Sequence, residues 1–114
     1  MNTKQARLIR RIKRNFEDYR ASVLKLDKQR IFDRASEIAA YARVSHYLQN
    51  IHGYGENELD YLLRFQNPLE LITDHYRELA HAELHTVVAR VCDTKDHTGD
   101  YPLMPTRTDQ EPER

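Results

Sequence analysis

Residues 81–85, His-Ala-Glu-Leu-His, have the residue types of a metal site. Two histidines four residues apart lie on one face of an α-helix, and both can ligate zinc. The order differs from HExxH, in which a glutamate beside the first histidine is the base for a zinc-bound water. On a helical wheel Glu83 lies about 200° from His81 and about 160° from His85, towards the core edge. The pattern therefore does not predict a zinc hydrolase.

A different set of potential ligands shares one face of the predicted helix. Asp74, Glu78, His81 and His85 fall within about 60° of each other, opposite the apolar side. His81 and His85 are the candidate metal ligands, with Glu78 as a third, and a structural zinc ion needs four. The others would come from another helix, the tail or a second copy, and the candidates are His46, His52 and His97. The sequence favours a solvated helix face and leaves zinc as an alternative.

No other residues point to catalysis. Cys92 is the single cysteine and lies two helical turns from His85, too far for a nucleophile–base pair. Ser22, Ser36 and Ser45 have no identifiable base, and the chain has no Gly-rich phosphate loop. We therefore predict a protein that is not an enzyme.

The strongest charge run, RLIRRIKR at 7–14, predicts a binding surface. The candidate contact residues are Arg7, Arg10, Arg11, Lys13 and Arg14. Such a stripe neutralises several phosphates and gives salt-sensitive binding to nucleic acid. It equally suits an acidic groove on a protein partner. The alternative is a helix that keeps its outer face solvated.

The other end of the chain has the opposite charge. Residues 56–114 carry thirteen acids against six bases, whereas residues 1–30 carry ten bases against three acids. The candidate acidic partner surface comprises Glu56, Glu58, Asp60, Glu70, Asp74 and Glu78. Opposite charges can attract within one molecule or between copies, so a homodimer is one of the states that we expect.

Amphipathic periodicity predicts the elements that position these side chains. We expect an all-α bundle of three long helices, at 3–25, 28–51 and 68–92, and one short helix at 57–65. Asp27 and Asn67-Pro68 are predicted helix starts, and Gly53 is a predicted stop. After Asp93 the periodicity ends among polar residues and prolines, which predicts a disordered tail. The expected division is a helical domain at 1–92 and a tail at 93–114.

The predicted second helix is apolar on two sides and therefore belongs at the centre of the domain. One stripe comprises Ile31, Phe32, Ala35, Ile38, Ala39 and Ala42. The other comprises Tyr41, Val44 and Leu48. A helix with two apolar sides packs against two neighbours, and the alanines of the first stripe would let another helix approach closely. The second stripe is also a candidate surface for pairing two copies.

Composition indicates the compartment. No apolar run approaches the eighteen residues of a membrane span, and no apolar segment near the N-terminus suits a signal peptide. One cysteine allows no internal disulfide and fits a reducing compartment. We therefore expect a cytoplasmic protein without a membrane partner.

Three stretches carry a resemblance to a known family. They are IFDRASEIAAYARV (31–44), YG-x-NELDYLLRF (54–65) and NPLELITDHY (67–76), within a region from about Phe16 to Tyr76. The region resembles a family of small helical proteins of unknown function on plasmids, phages and conjugative elements of gut-dwelling Gram-positive bacteria. The motifs are core and capping residues, so the resemblance implies a fold and assigns no catalytic residue.

The genomic setting of that family implies a class of function. Small, charged, non-enzymatic proteins of mobile elements often bind and block a host defence machine, and anti-CRISPR proteins inhibit RNA-guided nucleases in this way. The expected function is therefore a protein-binding inhibitor or adaptor of the anti-CRISPR type. The alternatives are a nucleic-acid-binding accessory protein that uses the basic helix, and a zinc-stabilised interaction protein.

Overall fold

The computed structural model describes residues 3–51, 54–79, 82–95 and 99–105. These residues form α1 (Thr3–Leu24), α2 (Lys28–Asp33), α3 (Ala35–Gln49), α4 (Glu56–Leu62), α5 (Pro68–Glu78) and α6 (Leu84–Thr94), with no β-sheet. The predicted all-α class is confirmed. The predicted split into three long helices and one short helix is wrong for the described residues, because two of the long helices are interrupted. None of the described helices has the length and apolar character needed to cross a bilayer.

The first helix begins and ends close to its predicted bounds, and its apolar side enters the core. Leu8 and Ile12 are completely buried, and Val23 is buried near the C-terminal end. α1 packs against α3, α4 and α5, and α3 also packs against α5. Because α1 and α3 contact each other and both rest on α5, their sides away from α5 form one outer surface of the bundle.

The predicted second helix is interrupted by one residue, Arg34. Asp27 caps α2 as predicted, since its carboxylate accepts a hydrogen bond of 2.9 Å from the Arg30 backbone amide. The Arg34 amide still bonds back to α2, and its carbonyl accepts from the Ile38 amide of α3. The interruption is therefore local, although α2 itself buries no residue. α3 ends at Gln49, and the predicted stop Gly53 lies outside the described residues.

The predicted long helix at 68–92 is two helices that pack against each other, α5 and α6. Its predicted start is confirmed, because the Asn67 side chain accepts from the Glu70 amide at 3.0 Å and Pro68 follows in the first turn. The interruption after Leu79 has a packing reason. Projected along one continuous helix, the buried side of α5 and that of α6 differ by roughly 100°. The buried sides of α5 and α6 both reach the core only because the helix is interrupted after Leu79 and the chain changes direction there.

The predicted disordered tail is wrong for part of its length. Asp93 and Thr94 are the last residues of α6, and residues 99–105 lie against the loop after α4. The Gln66 amide donates to the Pro102 carbonyl at 3.1 Å, and the Met104 amide donates to the Arg64 carbonyl at 2.7 Å. These backbone bonds connect segments almost forty residues apart, which local periodicity does not reveal. Residues 106–114 lie outside the described residues.

Candidate functional site

Four cations line the outer side of α1. Arg7, Arg10, Lys13 and Arg14 are exposed, and none forms an ion pair with another described residue. They share an arc of about 120° on the helical wheel, opposite Leu8. We call these four residues the α1 basic face. Its cations are available to an external anion.

The fifth predicted member, Arg11, points inwards. Its guanidinium donates to the Leu63 carbonyl at 2.7 Å and to the Phe65 carbonyl at 3.0 Å. These carbonyls follow the end of α4, where helical acceptors lack an internal partner. Burial, and then the neighbouring charges of Arg7 and Arg14, lower the pKa of Arg11. Arg11 is therefore half-buried and bound within the fold, unlike the four exposed cations.

The acidic residues of α4 are largely bound within the molecule. Lys4 of α1 forms ion pairs with Glu56 and with Asp60, the latter at 2.7 Å. Glu58 accepts from the Gly55 amide at 3.0 Å and so caps its own helix. The hydrogen bonds that Lys4 donates to Asp60 and to Glu56 raise the pKa of Lys4. Half of the predicted acidic surface therefore serves to hold α1 on α4 and to start α4.

The remaining acids lie along α5, apart from those of α4. Asp74 accepts a hydrogen bond of 2.9 Å from the Tyr101 hydroxyl, which attaches the 99–105 segment to α5. Glu70 is half-buried, and burial followed by the charge of Asp74 raises its pKa. Glu78 is exposed at the end of the helix. The six acids therefore form two separate groups, and four of the six have internal partners.

Sequence reasoning missed a polar cluster between α1, α3 and α5. Tyr19 and Tyr41 stack with their ring centroids 3.8 Å apart, and the Tyr19 hydroxyl donates to the Glu37 carboxylate at 2.8 Å. Arg77 of α5 lies 3.7 Å from the same carboxylate. Burial is the main cause of the raised pKa values of both tyrosines. No spacing rule predicts this cluster, because its members come from three helices.

A cleft of about 710 Å³ opens between α3, α5 and the start of α6. Its described lining comprises Arg43, Tyr47, Tyr76, Ala82, Glu83, Leu84 and His85. A guanidinium and phenol hydroxyls in such a cleft can hydrogen-bond a polar group. The described lining includes no Ser, Thr or Cys.

The residues predicted to share one metal-binding helix face do not all lie on one helix. Glu78 ends α5 and His85 belongs to α6, so they do not share a helix face. Glu83 was predicted to point towards the core edge, but it is exposed, and its Oε1 lies 3.3 Å from Nδ1 of His85. His81, His52 and His97 lie outside the described residues, within which no group of three or more His, Cys, Asp or Glu side chains is placed to hold a metal.

The cysteine is also unsuited to chemistry. Cys92 is completely buried, and burial raises the pKa of its thiol to about 12. A thiol must ionise to act as a nucleophile or metal ligand, so at neutral pH this group behaves as a core residue.

Comparison of the chain with protein-family models, curated proteins and solved structures finds no match. A function must therefore be inferred from the residues themselves. The most prominent feature that they form is an exposed cationic helix face on a bundle whose acids are mostly bound internally.

Proposed function

We propose that the chain is a non-enzymatic, cytoplasmic inhibitor or adaptor that acts by binding an anionic surface of a larger partner. The α1 basic face carries this proposal, because its four exposed cations have no ion pair among the described residues. Cations at an interface speed association and select partners of opposite charge. In keeping with the resemblance given above, the partner that we propose is an RNA-guided nuclease, which binding would block.

The acidic groups favour this mode of binding over mimicry of DNA. A DNA mimic needs a run of free carboxylates that substitute for phosphates. Here Glu56 and Asp60 pair with Lys4, and Asp74 accepts from Tyr101. The cationic side of the molecule is therefore the better candidate for contact with the nuclease.

The test is inhibition of DNA cleavage by purified RNA-guided nucleases of Gram-positive hosts. We expect a stable complex and loss of cleavage. The double substitution Arg10→Ala with Lys13→Ala should weaken binding at least tenfold, because it halves the charge of the α1 basic face. The matched control is Arg90→Ala with Lys95→Ala, which removes two exposed cations at α6, away from α1, and should leave binding within about twofold. The absence of both binding and inhibition across such nucleases would reject the proposal.

A nucleic-acid-binding accessory protein is the second candidate, favoured by the same four cations. If each neutralises one phosphate of duplex DNA, log K should fall with log salt concentration with a slope of about −3.6. A mobility-shift titration over a salt series measures this slope. Steep salt dependence that becomes shallower in the Arg10→Ala and Lys13→Ala variant would favour this candidate over the inhibitor. DNA binding that this variant leaves unchanged would exclude it.

A further inference from the structure

An apolar strip runs along the outer surface of α2 and α3. Ala35, Ala39 and Ala42 are exposed, and Phe32 at the end of the strip is 75% exposed. These residues belong to the first stripe of the predicted second helix, whereas the second stripe, Tyr41, Val44 and Leu48, is buried. We call Phe32, Ala35, Ala39, Ala42 and the exposed His46 the outer strip.

The outer strip lacks the usual charged character of an exposed helix face. In a chain with 32% charged residues, none of its five positions is Asp, Glu, Lys or Arg. From Phe32 to His46 the strip is about 21 Å long, which matches four turns of a second helix. Alanine side chains at the centre let that helix approach closely, and Phe32 supplies a large apolar contact at one end.

Cations flank the outer strip on both sides. Lys4, Arg11 and Asn15 mark the edge of α1 that faces α4 and the following loop. On the helical wheel Lys13 and Arg20 lie towards the opposite edge of α1, the edge beside α3, and both are exposed.

The other flank is also cationic. Arg43 of α3 is exposed and lines the cleft next to Tyr76, which places it on the side of the strip away from α1. It has no ion pair with another described residue. The outer strip therefore lies between the cations Lys13 and Arg20 of α1 on one side and Arg43 of α3 on the other.

The geometry points to an occupant with the complementary pattern. We propose that the outer strip binds an amphipathic α-helix of the partner protein, whose apolar side covers the alanines and whose acidic flanks face Lys13, Arg20 and Arg43. Electrostatic complementarity favours this occupant over a second copy of the chain, since a second copy would bring the same cationic borders together. This inference rests on the proposed function and names the chemistry of the partner's contact segment.

The direct test uses two synthetic helical peptides of about 20 residues with the same leucine and alanine positions. One carries glutamates on its flanks and the other carries lysines. Fluorescence anisotropy should show saturable binding of the glutamate peptide by the full chain and at least tenfold weaker binding of the lysine peptide. The difference should decrease in 0.5 M NaCl, where the charges are screened.

Two arginine substitutions locate the site. Ala39→Arg places a bulky cation in the middle of the outer strip and should weaken binding of the glutamate peptide at least tenfold. Thr86→Arg adds the same charge at an exposed position of α6 and should leave binding within about twofold. Circular dichroism verifies that both variants keep their helices. If Ala39→Arg unfolds the chain, Phe32→Ala, at a 75% exposed residue, takes its place and should also weaken binding.

Three results would overturn the inference: no binding of the glutamate peptide, equal binding of both peptides, or binding unchanged by Ala39→Arg. The inference would also be overturned if light scattering showed that the wild-type chain is a dimer and that Ala39→Arg dissociates it. A second copy of the chain would then cover the outer strip. The two proposals fail separately. Nuclease inhibition that Ala39→Arg leaves intact rejects the outer strip alone, whereas peptide binding without any nuclease inhibition rejects the nuclease alone.

Discussion

The basic residues of α1 and the acidic residues of α4 and α5 look like equal and opposite surfaces in the sequence, but the fold uses them differently. Four of the five predicted cations remain exposed and form no ion pair with another described residue. Arg11, the fifth, hydrogen-bonds to backbone carbonyls within the molecule. On the acidic side, four of the six carboxylates have partners within the molecule. A count of charges therefore describes composition, whereas internal pairing decides which charges are free to bind.

The largest effect in this comparison should come from Arg11→Ala. The substitution leaves the Leu63 and Phe65 carbonyls without their donor, and a hydrogen bond to a charged group contributes about 2 kcal/mol. We expect the free energy of unfolding to fall by about that amount in urea denaturation. Arg10→Ala, one position earlier and exposed, should change it by less than about 0.5 kcal/mol. Equal effects would mean that Arg11 does not have the structural role that separates it from the α1 basic face.

An intermediate effect is expected for Tyr101→Phe. The change keeps the ring against Phe65 but removes the 2.9 Å hydrogen bond to Asp74, worth about 1 kcal/mol. Thermal denaturation should show the loss. The control is Tyr47→Phe, because no hydrogen bond of that half-buried hydroxyl joins it to another described residue. Identical melting temperatures of the wild type and Tyr101→Phe would show that Asp74 is free and the acidic surface larger than the structure indicates.

The smallest effect should come from Lys4→Ala, which breaks both ion pairs with α4. These pairs are exposed, and exposed pairs contribute little. We expect a slight decrease in melting temperature that disappears in 1 M NaCl, where the screening length is about 3 Å. Because the ion pairs raise the pKa of Lys4, their contribution to the free energy of unfolding is present at neutral pH. It is lost as the pH rises through the pKa of Lys4 in the folded protein. A decrease as large as that of Arg11→Ala would contradict this ranking.

Local rules predicted helix content and helix starts well. The side chains of Asp27 and Asn67 each accept a hydrogen bond from a backbone amide three residues later. Because these caps involve only neighbouring residues, the sequence alone reveals them. The break after Leu79 follows no such rule. No Gly or Pro occurs between Leu79 and Leu84, and the break appears only when the buried sides of α5 and α6 are compared with a common core. The predicted shared face of Asp74, Glu78, His81 and His85 assumed one continuous helix, whereas Glu78 and His85 lie in separate helices and His81 lies outside the described residues.

The sequence by itself determined the all-α class, the amphipathic side of α1 and the placement of most of its cations, because these depend on a period of 3.6 residues. Only the tertiary structure decided which cations of α1, and which apolar stripe of the predicted second helix, remain on the surface. Arg11 donates to carbonyls more than fifty residues away, and Phe32, Ala35, Ala39 and Ala42 stay exposed while Tyr41, Val44 and Leu48 face the core. A helix with two apolar stripes does not itself specify which one is buried. That choice depends on where its neighbours, α1 and α5, lie.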